Sequence, residues 1–136
     1  MSCTIVHMEV VSDTNIFLAV VLNEPEKGDI IGLTSGFDVV APEILPYEIG
    51  NALSAMHKRK QITHPEALSI QKAATKIPVR LLKVDIQRAL KIALEFNIYA
   101  YDAYFLQSAI ALSIPLITLD NRMKQVAAEL SIELLE

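Results

Sequence analysis

Short β-rich apolar runs alternate with longer stretches of helical periodicity along the 136 residues. That alternation predicts βαβ units around a parallel sheet. The first run, residues 8–12, reads Met-Glu-Val-Val-Ser and stops at Asp13. A short helix is predicted over 15–22, capped by Thr14 or Asn15, and a second over 25–33. Residues 37–40 read as a short strand closed by Pro42. A third helix over 43–58 carries Leu45, Ile49, Ala52, Leu53 and Met56 at helical spacing. Thr63 is placed to cap the next helix, with Pro65 and Glu66 in its first turn; this helix runs to Lys76. Pro78 breaks the pattern, and 79–84 reads as a strand. Asp85 then opens a helix whose Ile86, Leu90, Ala93 and Leu94 are expected to face inward, with Asn97 as its stop. A further helix, opened by Asp102 and running through Leu112, is apolar nearly all round and so packed on more than one side. Residues 115–118 read as a buried strand, the last helix starts at Asp120 or Asn121, and 132–135 is a final edge strand. The expected fold is α/β: a three-layer α/β/α sandwich around a mostly parallel sheet of four or five strands, with right-handed crossovers.

Composition bounds this picture. The length suits one domain spanning residues 1–136, and an apolar fraction of 52% is enough for a core without any Trp. The single cysteine, Cys3, excludes an internal disulfide and fits a reducing compartment. The longest unbroken apolar run, residues 16–22, is far short of a membrane span, and the N-terminus lacks the pattern of a signal peptide. A cytoplasmic location follows as the expectation. The net charge of −4 hides an uneven distribution: residues 58–91 hold nine Lys or Arg against two acids, and the rest of the chain three against fourteen. Such asymmetry gives a polyanion a face to approach, although the same residues serve as solvated outer faces of helices.

Ligand sites in open parallel sheets lie beyond the carboxyl ends of the strands. That rule singles out Asp13 after the first strand and Asp120 after the run 114–117. Glu48 lies three residues after Leu45 and four before Ala52, so its stem borders the buried stripe of the third helix. Asp102 opens the helix that is apolar on almost every other side. Carboxylates beside a core repel one another and resist desolvation, and a divalent cation offsets both effects. Mg²⁺ and Mn²⁺ prefer oxygen ligands and keep some of their waters, leaving positions for a phosphate oxygen and a nucleophilic water. Singly, each acid has an ordinary reading: Asp102 and Asp120 as N-caps worth about 1 kcal/mol, Asp13 as a turn former, Glu48 on the wet edge of its helix. Together, at element ends and buried edges, they point to a metal site.

Three ordered motifs then make a family comparison possible. They are Val10-Val11-Ser12-Asp13-Thr14-Asn15-Ile16; Pro46-Tyr47-Glu48-Ile49-Gly50-Asn51-Ala52-Leu53; and Tyr101-Asp102-Ala103 followed by Ile114-Pro115-Leu116-Ile117-Thr118-Leu119-Asp120. In order and spacing they resemble the PIN-domain family, and within it the VapC-like toxins of toxin–antitoxin pairs. The resemblance spans nearly the whole chain and departs only in a few extra residues before the first strand. It implies a PIN-like fold and an endoribonuclease in which Asp13, Glu48, Asp102 and Asp120 hold one or two Mg²⁺ or Mn²⁺ ions as the catalytic set. It also implies cleavage to a 5′-phosphate and a 3′-hydroxyl, an RNA substrate, a cognate antitoxin protein and a homodimer. Thr14 and Thr118 would hydrogen-bond the carboxylates or a metal-bound water. Asn15 and Asn121 can do the same, and helix capping explains them equally.

Several features stay open on residues alone. The cluster His57-Lys58-Arg59-Lys60 can contact RNA phosphates through Lys58, Arg59 and Lys60, or simply complement a helix dipole. Tyr101 and Tyr104 flank Asp102 and can stack on a base or pack in the core. His7 and His64 have no partners at metal spacing. Other Mg²⁺ enzymes of this fold class fit less well: a haloacid-dehalogenase pattern needs an Asp where Asn15 stands, and a receiver domain needs an acidic pair before its first helix. A non-toxin PIN nuclease in RNA processing, or a PIN module that only binds, are the remaining alternatives.

Overall fold

A computed structural model describes residues 8–136, so Cys3 and His7 lie outside the described residues. The elements run β1 (Met8–Ser12), α1 (Thr14–Val21), α2 (Lys27–Thr34), β2 (Phe37–Pro42), α3 (Leu45–Lys58), α4 (His64–Ala74), β3 (Arg80–Leu82), α5 (Ile86–Phe96), α6 (Ala100–Leu112), β4 (Leu116–Ile117) and α7 (Asn121–Glu129). The sheet has the order β3-β2-β1-β4, and every pairing in it is parallel. Successive side chains on a strand point to opposite faces, and the two cores follow that alternation. Val10 and Ile117 pack with Ile16, Ala19 and Ile30 on one face. Val11, Val40 and Leu116 pack with Leu45, Phe105, Leu106 and Val126 on the other. This is the expected α/β/α layering, and it explains why Val10-Val11 and Val39-Val40-Ala41 are consecutive apolar residues rather than alternating ones. Helix α6 crosses β1, β2 and β4 and also meets α5 and α7, as its all-round apolar pattern predicts. Among the described residues no helix is long and apolar enough to cross a membrane.

Four expectations need correction. The cap of α1 is Asp13, not Thr14 or Asn15: its carboxylate accepts from the Thr14 N–H at 2.7 Å. Asp102 does not cap α6; the helix begins at Ala100 behind Tyr99, and the Ala103 N–H already bonds the Tyr99 carbonyl. Asp102 therefore sits inside the first turn. In α5 the buried residues are Ala89, Ile92 and Ala93, whereas Ile86, Leu90 and Leu94 are 63%, 45% and 74% exposed. Small Ala89 and Ala93, one turn apart, seat α5 against α6 and carry the larger side chains to the flank; only Ala93 of the expected inward set faces the core. The fifth strand reduces to one parallel bridge between Leu116 and Leu134. The Leu116 N–H donates to the Glu133 carbonyl and the Leu135 N–H to the Leu116 carbonyl, both at 2.9 Å. With β4 only two residues long, the tail has no more edge to pair with.

Candidate metal centre

The carboxyl ends of β1 and β4 lie side by side, Ser12 opposite Ile117, so the residues that follow them meet. Asp13 is 4% exposed, and both its oxygens are held. One accepts from the Thr14 N–H; the other accepts from the Thr118 hydroxyl at 2.8 Å. The Thr118 hydroxyl oxygen also accepts from the Asp120 N–H at 3.1 Å. Asp120 in turn caps α7, accepting from the Met123 N–H at 2.9 Å. Across the crevice the Thr14 hydroxyl donates to Glu48 Oε2 at 3.2 Å. Two threonines thus connect three acids contributed by α3 and by the segments after β1 and β4.

Asp13, Glu48 and Asp102 line one cavity of about 440 Å³, together with Thr14, Asn51 and the rings of Tyr47 and Tyr101. Asp120 stands outside that lining but within electrostatic reach of Asp13 and Asp102. Burial pushes the Asp13 carboxyl up to about 6; the negative charges of Asp102 and Asp120 push the same way, against the hydrogen bonds from Thr118 and Thr14. Burial likewise pushes Glu48 up to about 7, with Asp13 and Asp102 adding to it and the Thr14 hydroxyl opposing it. Asp102 is raised by burial and then by Asp120.

Among the described residues no three His, Cys, Asp or Glu side chains converge closely enough, as they stand, to ligate one ion. The acids still share one electrostatic field. The donor set nevertheless suits a hard divalent cation, since it is all oxygen. Glu48 Oε1 supplies the specific observation: it is a buried acceptor with no hydrogen-bond donor. A cation or a proton relieves an orphaned carboxylate oxygen in the field of Asp13 and Asp102.

The remaining sequence candidates fall in different places. Asn15 lines the cavity and Asn121 is exposed at the start of α7, but the side chain of neither hydrogen-bonds an acid among the described residues. Lys58, Arg59 and Lys60 are exposed at the far end of α3, about 15 Å along the axis from Glu48 by the helical rise, and do not line the cavity. Among the lining residues with a polar group, Asn51 and Tyr47 carried no role in the sequence reading. The spacing held the signal for Asn51, which follows Glu48 by three residues and so shares its helix face.

Fold and site together define an α/β domain with a carboxylate-lined pocket at the carboxyl edge of a parallel sheet. The chain belongs to the PIN-domain family: the family model for the PIN domain matches residues 10–129. PIN domains are nucleases, hydrolases of phosphodiester bonds. Three solved structures place the fold. The chain is similar to PAE2754 from Pyrobaculum aerophilum, with 19% identity and a TM-score of 0.68 over 88% of this chain and 79% of that one. VapBC2 from Rickettsia felis, bound to a DNA fragment from their promoter, has 16% identity and a TM-score of 0.63 over 93% and 97%. FitAcB from Neisseria gonorrhoeae has 14% identity and a TM-score of 0.66 over 93% and 96%. Among curated proteins no sequence matches the chain.

Proposed function

We propose that the protein is a divalent-metal-dependent endoribonuclease, a single nuclease domain acting in the cytoplasm as the toxin of a toxin–antitoxin pair. The observation that carries this reading is the buried acid cluster. Asp13, Glu48 and Asp102 face one cavity with Asp120 in reach, and their carboxyls are raised by burial and mutual repulsion. Family membership supports the nuclease part. The fold likeness to VapBC2 and FitAcB, with the motif resemblance to VapC-like toxins, supports a protein antitoxin as partner; the homodimer is implied by the motif resemblance.

Asp13, Glu48, Asp102 and Asp120 would hold one or two Mg²⁺ or Mn²⁺ ions. Such ions supply charge for the phosphate oxygens and lower the pKa of water. The chain's own residues prepare the site. Thr118 and the Thr14 N–H fix both Asp13 oxygens, so this carboxylate needs no reorganisation when a ligand arrives. The Thr14 hydroxyl holds one Glu48 oxygen and leaves the other open. Asn51 presents an amide to the same cavity, a donor suited to a non-bridging phosphate oxygen. Hydrolysis then places the oxygen of water on phosphorus and its proton on the leaving 3′-oxygen, giving a 5′-phosphate and a 3′-hydroxyl.

Structured RNA incubated with Mg²⁺ or Mn²⁺ tests this directly. Wild-type protein cleaves, and Asp13→Asn and Asp102→Asn each lower the rate at least about 100-fold. Equal rates for all three proteins would remove the metal-site reading. The second reading is a PIN module that only binds. RNA retention without cleavage in either metal would establish it.

A further inference from the structure

Two tyrosines stand at the mouth of the acidic cavity, each one residue before one of its acids. Tyr47 precedes Glu48 in the first turn of α3, and Tyr101 precedes Asp102 in the first turn of α6. Neighbours on a helix are turned about 100° from each other, so an acid directed inward leaves the preceding side chain on the rim. Both rings are exposed, Tyr47 at 75% and Tyr101 at 56%. Tyr101 meets Tyr104 edge-on, with centroids 6.0 Å apart and planes at 87°, which restricts its swing. The two tyrosines and Ile44 also line an adjoining groove of about 900 Å³. Cavity and groove therefore run into each other across the tyrosine rim. The groove has an apolar floor that includes Pro46 and Val84, and it holds one cation, Lys83, and one acid, Glu43. Lys83 belongs to the basic stretch 58–91 and makes no ion pair among the described residues, whereas Arg80 and Arg88 of that stretch are paired with Glu9 and Asp85.

The geometry points to this groove as the track for a single-stranded stretch of the RNA substrate. Bases stack on Tyr47 and Tyr101 beside the scissile phosphate, and Lys83 meets a phosphate farther along. The proposal rests on the nuclease reading of the cavity. It requires unpaired bases, because a ring needs the free face of a base and a duplex offers none along its length. Such stacking tolerates any sequence, since every base has a π-face.

The test is fluorescence anisotropy of a short, labelled single-stranded RNA of mixed sequence, with the whole chain carrying Asp102→Asn to suppress cleavage. Adding Tyr47→Ala or Tyr101→Ala weakens binding on the order of tenfold, and Tyr47→Phe, which keeps the ring, leaves it unchanged. Lys83→Ala lowers the slope of log affinity against log salt by about 0.7, the share of one phosphate contact on a single strand. A duplex of the same sequence binds more weakly and does not respond to the tyrosine changes. The substituted rings are exposed, and unchanged melting temperatures show that the fold is kept. Alanine variants that bind like their parent overturn the track, as does equal binding of single strand and duplex. So do groove substitutions that disturb only self-association or pairing with a purified partner protein. The two readings fail separately. Cleavage that depends on Asp13, with tyrosine-independent binding, keeps the nuclease and removes the track. Tyrosine-dependent binding by a wild type that never cleaves keeps the track and removes the nuclease.

Discussion

Asp13 and Glu48 give the metal-free protein an unusual dependence on pH. An unfolded Asp ionises near 3.8, but in the fold Asp13 does so near 6, and Glu48 moves from 4.5 to about 7. Between those values the native state holds protons that the unfolded chain has released. Stability therefore falls as pH rises through the window, and it is fully present only below the unfolded values. For Asp13 the loss is about 3 kcal/mol, at 1.4 kcal/mol per unit. Melting in EDTA should accordingly give a lower melting temperature at pH 8 than at pH 5, and Asp13→Asn should flatten the profile; a wild-type curve that rises over this range contradicts the linkage. Cation affinity and cleavage run the other way, because protons and ions compete for the same oxygens. Cleavage rates measured against pH should begin to drop between about 7 and 6, above the ordinary carboxylate range. Thr118→Val keeps the shape but removes the hydroxyl that donates to Asp13 and accepts from Asp120. Urea denaturation should show a loss of about 1–3 kcal/mol. The acids were legible in the sequence because each interrupts a pattern that would otherwise be apolar. Tyr47 was not, since an exposed ring on an amphipathic helix breaks no rule until the neighbouring groove is known.

Helix ends were legible wherever a side chain makes the end. Thr63 caps α4 with the reciprocal pair of bonds that its spacing from Glu66 announces: Thr63 Oγ1 accepts from the Glu66 N–H at 3.2 Å, and Glu66 Oε1 accepts from the Thr63 N–H at 3.0 Å. Asn97 ends α5 in the left-handed conformation, with φ of 54°, which Asn tolerates better than most residues. Thr63→Ala should cost about 1 kcal/mol in thermal unfolding and leave cleavage unchanged, since α4 contributes nothing to the cavity lining. The start of α6 was misread for the opposite reason: Tyr99 offers no capping side chain, so the acid two residues inside the helix stood in for one. The face of α5 was misread because its apolar arc is wider than the surface α6 covers, and periodicity alone cannot say which part of a wide arc is buried. If a homodimer forms through the exposed Leu90 and Leu94, then Leu90→Lys with Leu94→Lys should shift the protein toward monomer in analytical ultracentrifugation without lowering its melting temperature.

Layer order and strand direction followed from the alternation of short and long segments, and a sheet of this kind puts its open end where the acids are. Binding a cation there should stabilise the entire fold. At a concentration 100 times the dissociation constant the gain is about 2.7 kcal/mol, read as a rise in melting temperature on adding Mn²⁺ at pH 7.5 that shrinks at pH 5.5. The short fourth strand carries Thr118 and Asp120 into that end, and it is gripped from two sides. β1 holds it through the Val11 and Asp13 N–H groups, and residues 133–135 hold it through Leu116. Ile132, 7% exposed, anchors this last stretch in the core. A trimmed or proteolysed tail would therefore be felt some distance away, as a loosened Thr118 and a weaker grip on the ion, before any general unfolding.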